Sequence, residues 1–584
     1  MTIDRSPSGL LPHGRQLAIT WGIPDRYGGM TAALLHRSRA FVREAGATVD
    51  VITFDPHPFG PEKTRMLQDR GELIDGMRLR SVWDELDDRI TIPAAGAIPP
   101  AGGIRNPPEE IWGSESTVRV WESGGHRVRL EHRAADGRLT LLDERRRSDG
   151  PRRLITTFGP DGSPTGQWTD PWEFYADRLD ALLGGDRAFA IVDSKTAARF
   201  VQSYRRPNLI TVHVVHGSHL GGGSAKRLSR ARRPVLENAR EWDAVVFLTD
   251  RQRRDVVDIL GDSGNLAVVP NTLTLPAEPS WSRDPYRGVV VANLTARKRI
   301  DHALQVVAAV RASGAPASLD IVGDGGERER LEVQVRRLGL DDAVRFHGYV
   351  PGAADRYAEA SWTLLTSTSE GAPLVLLEAM ARGCLPVAYD IRYGPADTIV
   401  DGWNGFLVED ADVPAAAAAL WRLCSLSDAD RADLRRNARG TAVGNSDADV
   451  VARWGDVQRE ALRRKAARAR MGAALSQVRV RLLRGRYRVS ARVLPEPAHA
   501  AIEVELIAPS AEVLVRAPLR RIGSYGVARL SASQSQRLGR GPVRTRFVVL
   551  TTDGQVALDA GRRHPDPRLF ARRALHRARR LLTT

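Results

Sequence analysis

The chain repeats one pattern that only a narrow group of folds accommodates: a short apolar run, a loop, and an amphipathic helix. In its first copy, an apolar run at residues 17–23 leads through Gly28-Gly29 into a helical repeat over Thr31–Gly46, and then into a second apolar run over Thr48–Phe54. Strand, loop, helix and strand in this order make a βαβ unit, the building block of a doubly wound parallel sheet. The first part of the chain is therefore predicted to be an α/β domain, with further strands at residues 188–193, 209–215, 244–249 and 265–269.

The pattern starts again near residue 286. Strands are predicted at residues 288–292, 317–322, 344–347, 362–365, 386–389 and 405–408, and helices at 301–313, 327–338, 413–424 and 447–465. With 584 residues the chain is too long for a single core, so two α/β domains in tandem fit its length. The loop Gly323–Gly326 follows a strand, but it lacks the full Gly-x-Gly-x-x-Gly and lies in the middle of a domain, which argues against NAD binding.

Two other segments are predicted to be β structure. Between residues 76 and 170, short alternating runs are separated by Asp-Gly and Gly-Gly turns, which predicts an antiparallel meander inserted in the first domain. From about residue 474, Val/Arg/Leu runs predict a small β-sandwich or barrel, followed by a basic amphipathic helix over residues 568–582. The predicted domains are residues 1–75 with 171–285, the insertion 76–170, the second α/β domain 286–465, and the β domain 474–584.

The net charge of +16 is carried by one end of the chain. Residues 461–584 hold 27 Arg or Lys against 7 Asp or Glu, a net charge of +20, which leaves −4 for the rest. A segment with this charge is able to bind an anionic polymer, a membrane surface or nucleic acid. Its last helix is explained equally well as a basic tail exposed to solvent. No apolar run has the length of a membrane-spanning helix, the N-terminus lacks a secretory pattern, and the two cysteines lie in apolar helical contexts. We therefore expect a cytoplasmic protein, with peripheral contact to the inner face of the membrane through the basic segment.

The stretch Ser367–Met380 has the features of an anion-binding site. Glu370 and Gly371 occupy a small polar loop, where the glycine lets a ligand approach the backbone. Pro373 suits the first turn of the helix that follows, and Glu378 is expected about two turns into it. The N-terminus of a helix offers free N–H groups and a positive dipole end to an anion such as phosphate. The alternative is that Glu370 only caps the helix and that Glu378 is a solvated charge.

Other candidate residues also follow predicted strands. They are Gly28, Gly29, His216 and His219 in the first domain, and Lys298, Gly348 and Tyr349 in the second. Taken singly, the glycine pair is explained by a tight turn and the histidines by hydrogen bonds within their loop. The carboxyl ends of parallel strands share one edge, however, and open α/β sheets bind ligands there, so we expect these residues to line one cleft. A zinc site is disfavoured, because no cysteine or carboxylate lies at ligand spacing from the histidines.

Three motifs in this order resemble retaining glycosyltransferases of family 4, which have the two-domain GT-B fold. They are Val322-Gly-Asp-Gly-Gly-Glu-Arg-Glu-Arg-Leu, Val344-Arg-Phe-His-Gly-Tyr-Val and Ser369-Glu-Gly-Ala-Pro-Leu-Val-Leu-Leu-Glu-Ala-Met-Ala-Arg-Gly-Cys-Leu-Pro-Val. The run from Asp390 to Val408 and the inserted meander are similar to teichoic acid glycosyltransferases and to relatives that glycosylate serine-rich adhesins. The resemblance covers about residues 15–465 and excludes the C-terminal β domain. It implies the GT-B fold, an α/β architecture with two Rossmann-like domains and a β-meander inserted in the first. In this chain an extra all-β domain follows at the C-terminal end.

The resemblance also implies roles for the candidate residues. The implied donor is a nucleotide sugar, usually UDP-glucose or UDP-N-acetylglucosamine. The resemblance implies neither a cofactor nor a metal, because cationic side chains and a helix N-terminus stabilise the leaving diphosphate. Lys298 matches the lysine that binds the diphosphate, Glu370 the glutamate that faces the transferred sugar, and Glu378 the one that binds the ribose. His216 is the best match for the histidine near sugar and acceptor, with His219 as second choice. The remaining donor contacts are expected from Gly28, Gly29, Gly348, Tyr349, Gly371, Ala372, Pro373 and Leu374.

The sequence departs from the family at Asn293. Many relatives have an arginine five residues before the lysine as a second diphosphate clamp, so either Arg297 or Arg299 substitutes or the donor is held more weakly. We expect transfer of a hexose to a polyol-phosphate polymer of the teichoic acid type. The alternatives are transfer to protein Ser or Thr, a GT-B partner subunit that binds an acceptor without chemistry, and, least favoured, a nucleic-acid-binding protein. Relatives assemble through the inserted meander, so a homo-oligomer is also expected.

Overall fold

The structure, a computed structural model, describes most of the chain. The residues outside the description are 1–8, 26, 57–60, 84–108, 113–115, 124–125, 146–151, 222–223, 279–282, 473–474, 484–485, 494–500, 508–512, 519, 523–524, 532, 535–537, 539–542, 552–553 and 564–584. The predicted basic helix at 568–582 therefore lies outside the described residues. Contacts divide the chain into two compact units, the first comprising residues 1–209, 216–218 and 269–455, and the second 210–215, 219–268 and 456–584.

The strands, in chain order, are β1 (Arg15–Thr20), β2 (Val49–Thr53), β3 (Met77–Ser81), β4 (Glu109–Trp112), β5 (Ser116–Ser123), β6 (His126–Ala134), β7 (Leu139–Arg145), β8 (Arg153–Phe158), β9 (Pro164–Trp168), β10 (Ala188–Val192), β11 (Leu209–Val215), β12 (Leu220–Gly221), β13 (Ser224–Leu228), β14 (Ala244–Phe247), β15 (Leu266–Val268), β16 (Arg287–Val291), β17 (Ser318–Val322), β18 (Val344–Gly348), β19 (Trp362–Leu365), β20 (Leu385–Tyr389), β21 (Phe406–Val408), β22 (Leu475–Leu483), β23 (Arg486–Val493), β24 (Ala501–Ile507), β25 (Val513–Pro518), β26 (Arg520–Ile522), β27 (Tyr525–Arg529), β28 (Val543–Thr551) and β29 (Gly554–Arg563).

The α-helices are α1 (Gly29–Ala45), α2 (Pro61–Asp69), α3 (Pro171–Leu183), α4 (Lys195–Val201), α5 (Arg233–Leu236), α6 (Asp250–Leu260), α7 (Ile300–Ala312), α8 (Arg328–Arg337), α9 (Leu374–Ala381), α10 (Pro395–Thr398), α11 (Val413–Ser425), α12 (Asp428–Val443) and α13 (Asp447–Gly472).

The first unit contains two sets of parallel strands, as the βαβ pattern predicted. Strands β10, β1, β2 and β3 pair side by side in that order. The second set is a six-stranded sheet in the order β18-β17-β16-β19-β20-β21. Its strands are short and mostly apolar because helices cover the sheet, and α7, α9 and α11 contribute buried residues to the same core. In each set the carboxyl ends of the strands share one edge.

The inserted meander has six antiparallel strands, β4 to β9, in chain order. Its alternating residues separate a buried face, with Val118, Leu130 and Ile155, from a polar one. The start predicted for this segment, residue 76, was wrong, because Met77–Ser81 pairs in parallel with β2 as a strand of the α/β sheet. A short strand with one partly exposed face alternates in the same way as a meander strand, so the pattern alone did not separate them.

The second unit holds three parallel strands, β11, β14 and β15, and the C-terminal β segment. That segment forms two four-stranded antiparallel sheets, β22-β23-β27-β26 and β25-β24-β28-β29, which confirms the prediction of an extra all-β domain. Buried charges join it to the rest of this unit: Arg546 pairs with Glu505 and Glu241, and Glu505 also pairs with Arg240. The segment is therefore packed into the second unit by ion pairs as well as by its apolar core.

Candidate functional site

Glu370 lies in the loop between β19 and α9 and is held by two cations. Its carboxylate is 2.7 Å from Lys298 Nζ and 2.9 Å from an Arg297 guanidinium nitrogen. Burial opposes ionisation of the carboxyl, but Lys298 and then Arg297 outweigh it and lower the pKa of Glu370. Pro373, expected in the first turn of the helix, stands just outside it as the N-cap residue, and none of the described side chains caps α9. Glu370 is therefore an ion-paired carboxylate rather than a helix cap.

The two cations come from the loop after β16, the strand that neighbours β19 in the sheet. Lys298 and Arg297 sit in a short 3₁₀ turn, Ala296–Lys298. The turn is tied to the Glu370 loop because Arg299 donates hydrogen bonds to the carbonyls of Thr366 and Ser367, and Arg297 donates to Ser369 O. Arg299 is thus occupied by the backbone and packs over Tyr389. Arg297, half exposed, is the flanking arginine that reaches Glu370.

Glu378 is the fifth residue of α9, little more than one turn from its start rather than two, because the helix begins after Pro373. Burial raises the pKa of its carboxyl, and the positive charge of Arg382 and the ring of His36 partly offset this effect. Glu378 is therefore a partly buried carboxylate on the same helix whose N-terminus borders Glu370, and not the solvated charge of the alternative interpretation.

Gly371 touches the loop that carries His216. A Cβ added to Gly371 would lie 1.9 Å from the carbonyl oxygen of His216, where no side chain fits. The amide nitrogen of Asn271 also donates to Ala372 O, at 3.1 Å. From the sequence, Gly371 was expected to allow close approach of a ligand, whereas the structure shows close approach of the His216 backbone. This contact places His216 beside the Glu370 loop.

His216 itself follows β11 and is oriented by a buried carboxylate. Its Nε2 lies 2.6 Å from Oδ1 of Asp193, and Asp193 accepts two hydrogen bonds from Arg37, at 2.9 and 2.7 Å. Neither Asp193 nor Arg37 was predicted from the sequence. The sequence signal for Asp193 was a charged residue at the end of an apolar strand. The signal for Arg37 was a charged residue that interrupts the apolar face of α1. His219, the second choice, has no exposed surface, and His216 remains the preferred candidate.

The remaining predicted residues lie at the start of α1 and at the end of β18. Gly28 is the N-cap residue and Gly29 the first residue of α1; nothing lies within 4 Å of a Cβ at either, and the first turn contains no acidic residue. Gly348 ends β18 with φ +68°, and Tyr349 after it is 48% exposed. Asn293 is exposed, and its Oδ1 would lie 2.7 Å from a Cβ on Gly325. Residues 9–563, apart from the gaps given above, contain no group of three His, Cys, Asp or Glu side chains arranged to hold a metal ion.

In a comparison with known proteins, residues 274–441 match the model of the family Glycosyl transferases group 1. The chain is 31% identical over 430 residues to an exopolysaccharide phosphotransferase of Streptomyces coelicolor, covering 70% of this chain and 44% of that protein. It is 27% identical over 234 residues to the poly(glycerol-phosphate) alpha-glucosyltransferase of Bacillus subtilis, covering 39% and 35%. The chain thus spans less than half of these curated relatives.

Among solved structures, the chain resembles a mutant of TarM from S. aureus, determined in complex with Fondaparinux, alpha-GlcNAc-glycerol and UDP. The TM-score is 0.61, with 18% sequence identity, and the match covers 76% of this chain and all of that one. At this identity the likeness shows the fold alone, and that fold is the GT-B fold predicted from the sequence.

Proposed function

Because the chain carries a Glycosyl transferases group 1 domain in a GT-B fold, we propose that it is a retaining glycosyltransferase that uses a UDP-sugar. One observation carries the proposal: Glu370, paired with Lys298 and Arg297, lies before an uncapped helix and beside the loop of His216. Carboxylate, cations, helix N-terminus and imidazole are the groups that transfer from a nucleotide sugar requires.

The donor diphosphate is assigned to Lys298, Arg297 and the free N–H groups at the start of α9. Two cations against one carboxylate leave a net positive charge, which the helix dipole increases. No metal is included in the proposal, since these groups supply the charge that a leaving diphosphate needs. Glu378 is assigned to the ribose hydroxyls, and the backbone around Tyr349 to the base. Arg297 takes the part of the arginine that Asn293 replaces.

The proposed step exchanges one bond for another at the anomeric carbon of the sugar. The bond from this carbon to the diphosphate oxygen breaks, and a bond to the acceptor hydroxyl oxygen forms on the same face. The hydroxyl proton passes to the departing diphosphate, so UDP is released. Glu370 faces the sugar during this step, and His216 contacts the sugar and acceptor hydroxyls.

The acceptor is proposed to be a hydroxyl of a polyol-phosphate polymer. Support comes from the similarity to the B. subtilis enzyme and from the +20 net charge of residues 461–584, which suits a polyanion. A cytoplasmic site of action at the inner membrane face fits this charge and is part of the proposal. Within the part of the chain that the structure describes, no helix is long and apolar enough to cross a membrane.

The name of the S. coelicolor relative suggests a second candidate, the transfer of a sugar phosphate. The two reactions break different bonds in the same donor. Transfer of the sugar alone cleaves the bond at the anomeric carbon and releases UDP, whereas transfer of the sugar phosphate cleaves the diphosphate and releases UMP. The nucleotide product therefore distinguishes them.

The test is a screen of UDP-glucose and UDP-N-acetylglucosamine with the full chain, read by chromatography of the nucleotide product. Acceptors are poly(glycerol-phosphate), poly(ribitol-phosphate) and a serine-rich peptide. We expect UDP, with a polymer acceptor, and a loss of about 10²-fold or more in Lys298→Ala and Glu370→Gln. Arg311→Ala is the matched control: this arginine also pairs with a carboxylate, Asp342, but at the amino-terminal edge of the sheet. Release of UMP, or no turnover of any nucleotide sugar, would overturn the proposal.

A further inference from the structure

His216 is the end of a chain of buried polar contacts that leads away from the proposed site. Its Nε2 is 2.6 Å from Asp193 Oδ1, and the side chain of Asp193 is completely buried. The two oxygens of Asp193 accept from Arg37 Nη1 and Nη2, and the Arg37 side chain is only 6% exposed. The guanidinium in turn packs over the ring of Trp454, 5.2 Å from its centroid.

Four separate segments build this chain. His216 follows β11, Asp193 follows β10, Arg37 lies on the buried face of α1, and Trp454 lies on α13. Trp454 is itself fixed by an edge-on contact with Phe41, one turn after Arg37 on α1. The carboxylate is therefore held by residues of α1 and α13, which are separate in sequence from the Glu370 loop.

The protonation of the His216 ring follows from the partner of its Nε2. An ionised carboxylate can only accept hydrogen bonds, so Nε2 carries the proton and donates to Asp193. Burial opposes ionisation of Asp193, but the Arg37 charge and hydrogen bonds outweigh it and lower the pKa of Asp193 to about 2. In the neutral ring, Nδ1 then has a lone pair that is able to accept a hydrogen bond from a hydroxyl group.

We propose that Asp193, clamped by Arg37, is a positioning residue that fixes the orientation of the His216 ring and keeps the proton on Nε2, so that Nδ1 accepts from a hydroxyl of the sugar or acceptor. The inference rests on the proposed function. The charged groups around His216 are Asp193 and Arg37 behind it, and Glu370 on the loop that Gly371 brings against its backbone. Glu370 is in turn paired with Lys298 and Arg297 from the turn after β16.

The decisive variant is Asp193→Asn. The amide can donate to Nε2, which favours the ring with its proton on Nδ1, so the acceptor lone pair is lost from the substrate side. We expect kcat to fall by about 10²- to 10⁴-fold, the range for buried partners of functional histidines. The KM for the donor should stay within about twofold, because no group assigned to the nucleotide is changed.

Two further variants separate positioning from folding. Asp143→Asn removes a comparable carboxylate, buried in the meander and held by Arg153 at 2.8 Å and 2.8 Å, and should leave kcat unchanged. Arg37→Lys keeps the charge beside Asp193 but loses the paired geometry, so it should retain more activity than Asp193→Asn. If Asp193→Asn and Asp143→Asn lower activity equally, the inference is wrong.

A spectroscopic readout keeps the inference apart from the proposed function. With ¹⁵N-labelled histidine, the wild-type protein should show one imidazole Nε2–H proton that exchanges slowly and is absent in both Asp193→Asn and His216→Gln. This result is expected whether or not a nucleotide sugar is turned over. Absence of such a proton in the wild type would overturn the positioning role, whereas a normal resonance without any turnover would overturn only the proposed function.

Discussion

Replacing Gly371 by alanine should disable the site while leaving the fold largely intact. The added Cβ would lie 1.9 Å from the carbonyl oxygen of His216, 2.6 Å from its carbonyl carbon and 3.2 Å from the Cα of Gly217. All three atoms belong to the backbone, so no side chain can rotate away to make room. The His216 loop and the Glu370 loop must move apart.

The size of this movement sets the expected effect. A carbon and an oxygen that are not bonded approach to roughly 3.3 Å, so the two loops must separate by more than about 1 Å. A displacement of about 1 Å between reacting groups costs about 10²-fold in rate, or about 2.7 kcal/mol. We therefore expect kcat/KM of Gly371→Ala to fall about 100-fold, and the strain of overpacking to lower stability by about 1–3 kcal/mol.

The assay combines donor turnover, UDP binding by calorimetry and thermal unfolding. UDP should still bind, because Lys298, Arg297 and α9 remain together on one side of the altered contact. Gly326→Ala is the matched control, since no atom lies within 4 Å of a Cβ there, and it should behave as the wild type. A Gly371→Ala protein with wild-type kcat would refute the idea that these loops must touch for catalysis.

Three other changes test separate parts of the structure. Glu378→Gln should raise the KM for the nucleotide sugar about 10-fold at nearly constant kcat, because a charged hydrogen bond to ribose contributes about 1.5 kcal/mol in both the ground state and the transition state. Steady-state kinetics measure this effect, and an unchanged KM would contradict it. Arg546→Met should lower the free energy of unfolding by about 3 kcal/mol in urea, since it leaves the buried Glu505 short of a partner; a loss below about 1 kcal/mol would show that the pair matters little. Burial opposes ionisation of Asp447, but a hydrogen bond from His36 helps lower its pKa to about 2. The ionised carboxylate therefore stabilises the folded protein by about 2.5 kcal/mol above about pH 4, and this contribution is lost as the pH falls towards 2. Acid unfolding of Asp447→Asn should lack this part of the pH dependence, and acid profiles identical to those of the wild type would refute the assignment.

The order of strands and helices was predictable because their signals are local. Apolar runs of four to seven residues separated by helical repeats predict a parallel sheet wherever they occur. The omission of α12 has a physical reason. Its buried positions include Arg431, Arg435, Ala438 and Ala442, so the helix has no apolar stripe to reveal it. Its arginines lie against the protein and donate to neighbouring groups, among them the carbonyl oxygens of Cys424 and Leu426.

The contacts that define the site were not predictable in the same way, because they join distant parts of the sequence. Arg37 and Asp193 are 156 residues apart, and on a helix an arginine among apolar residues resembles an ordinary surface charge. Gly371 was identified as a position that needs glycine, but the sequence contains no information about what approaches it. Lys298 and Glu370 could be assigned to a common site because both follow parallel strands, and the structure shows that they form an ion pair.

The buried charges of the second unit also affect how the chain folds during synthesis. Arg240 and its partner Glu505 are 265 residues apart, and Glu241 and Arg546 are 305 apart. At roughly 5–20 residues per second, a ribosome needs about 13–53 s to extend the chain from Arg240 to Glu505. Throughout this interval two charged side chains that end up buried await their partners, so the second unit reaches its native packing only after β28 has been made. We expect a nascent chain stalled before β24 to be digested by protease around residue 240, and a completed chain to resist cleavage there.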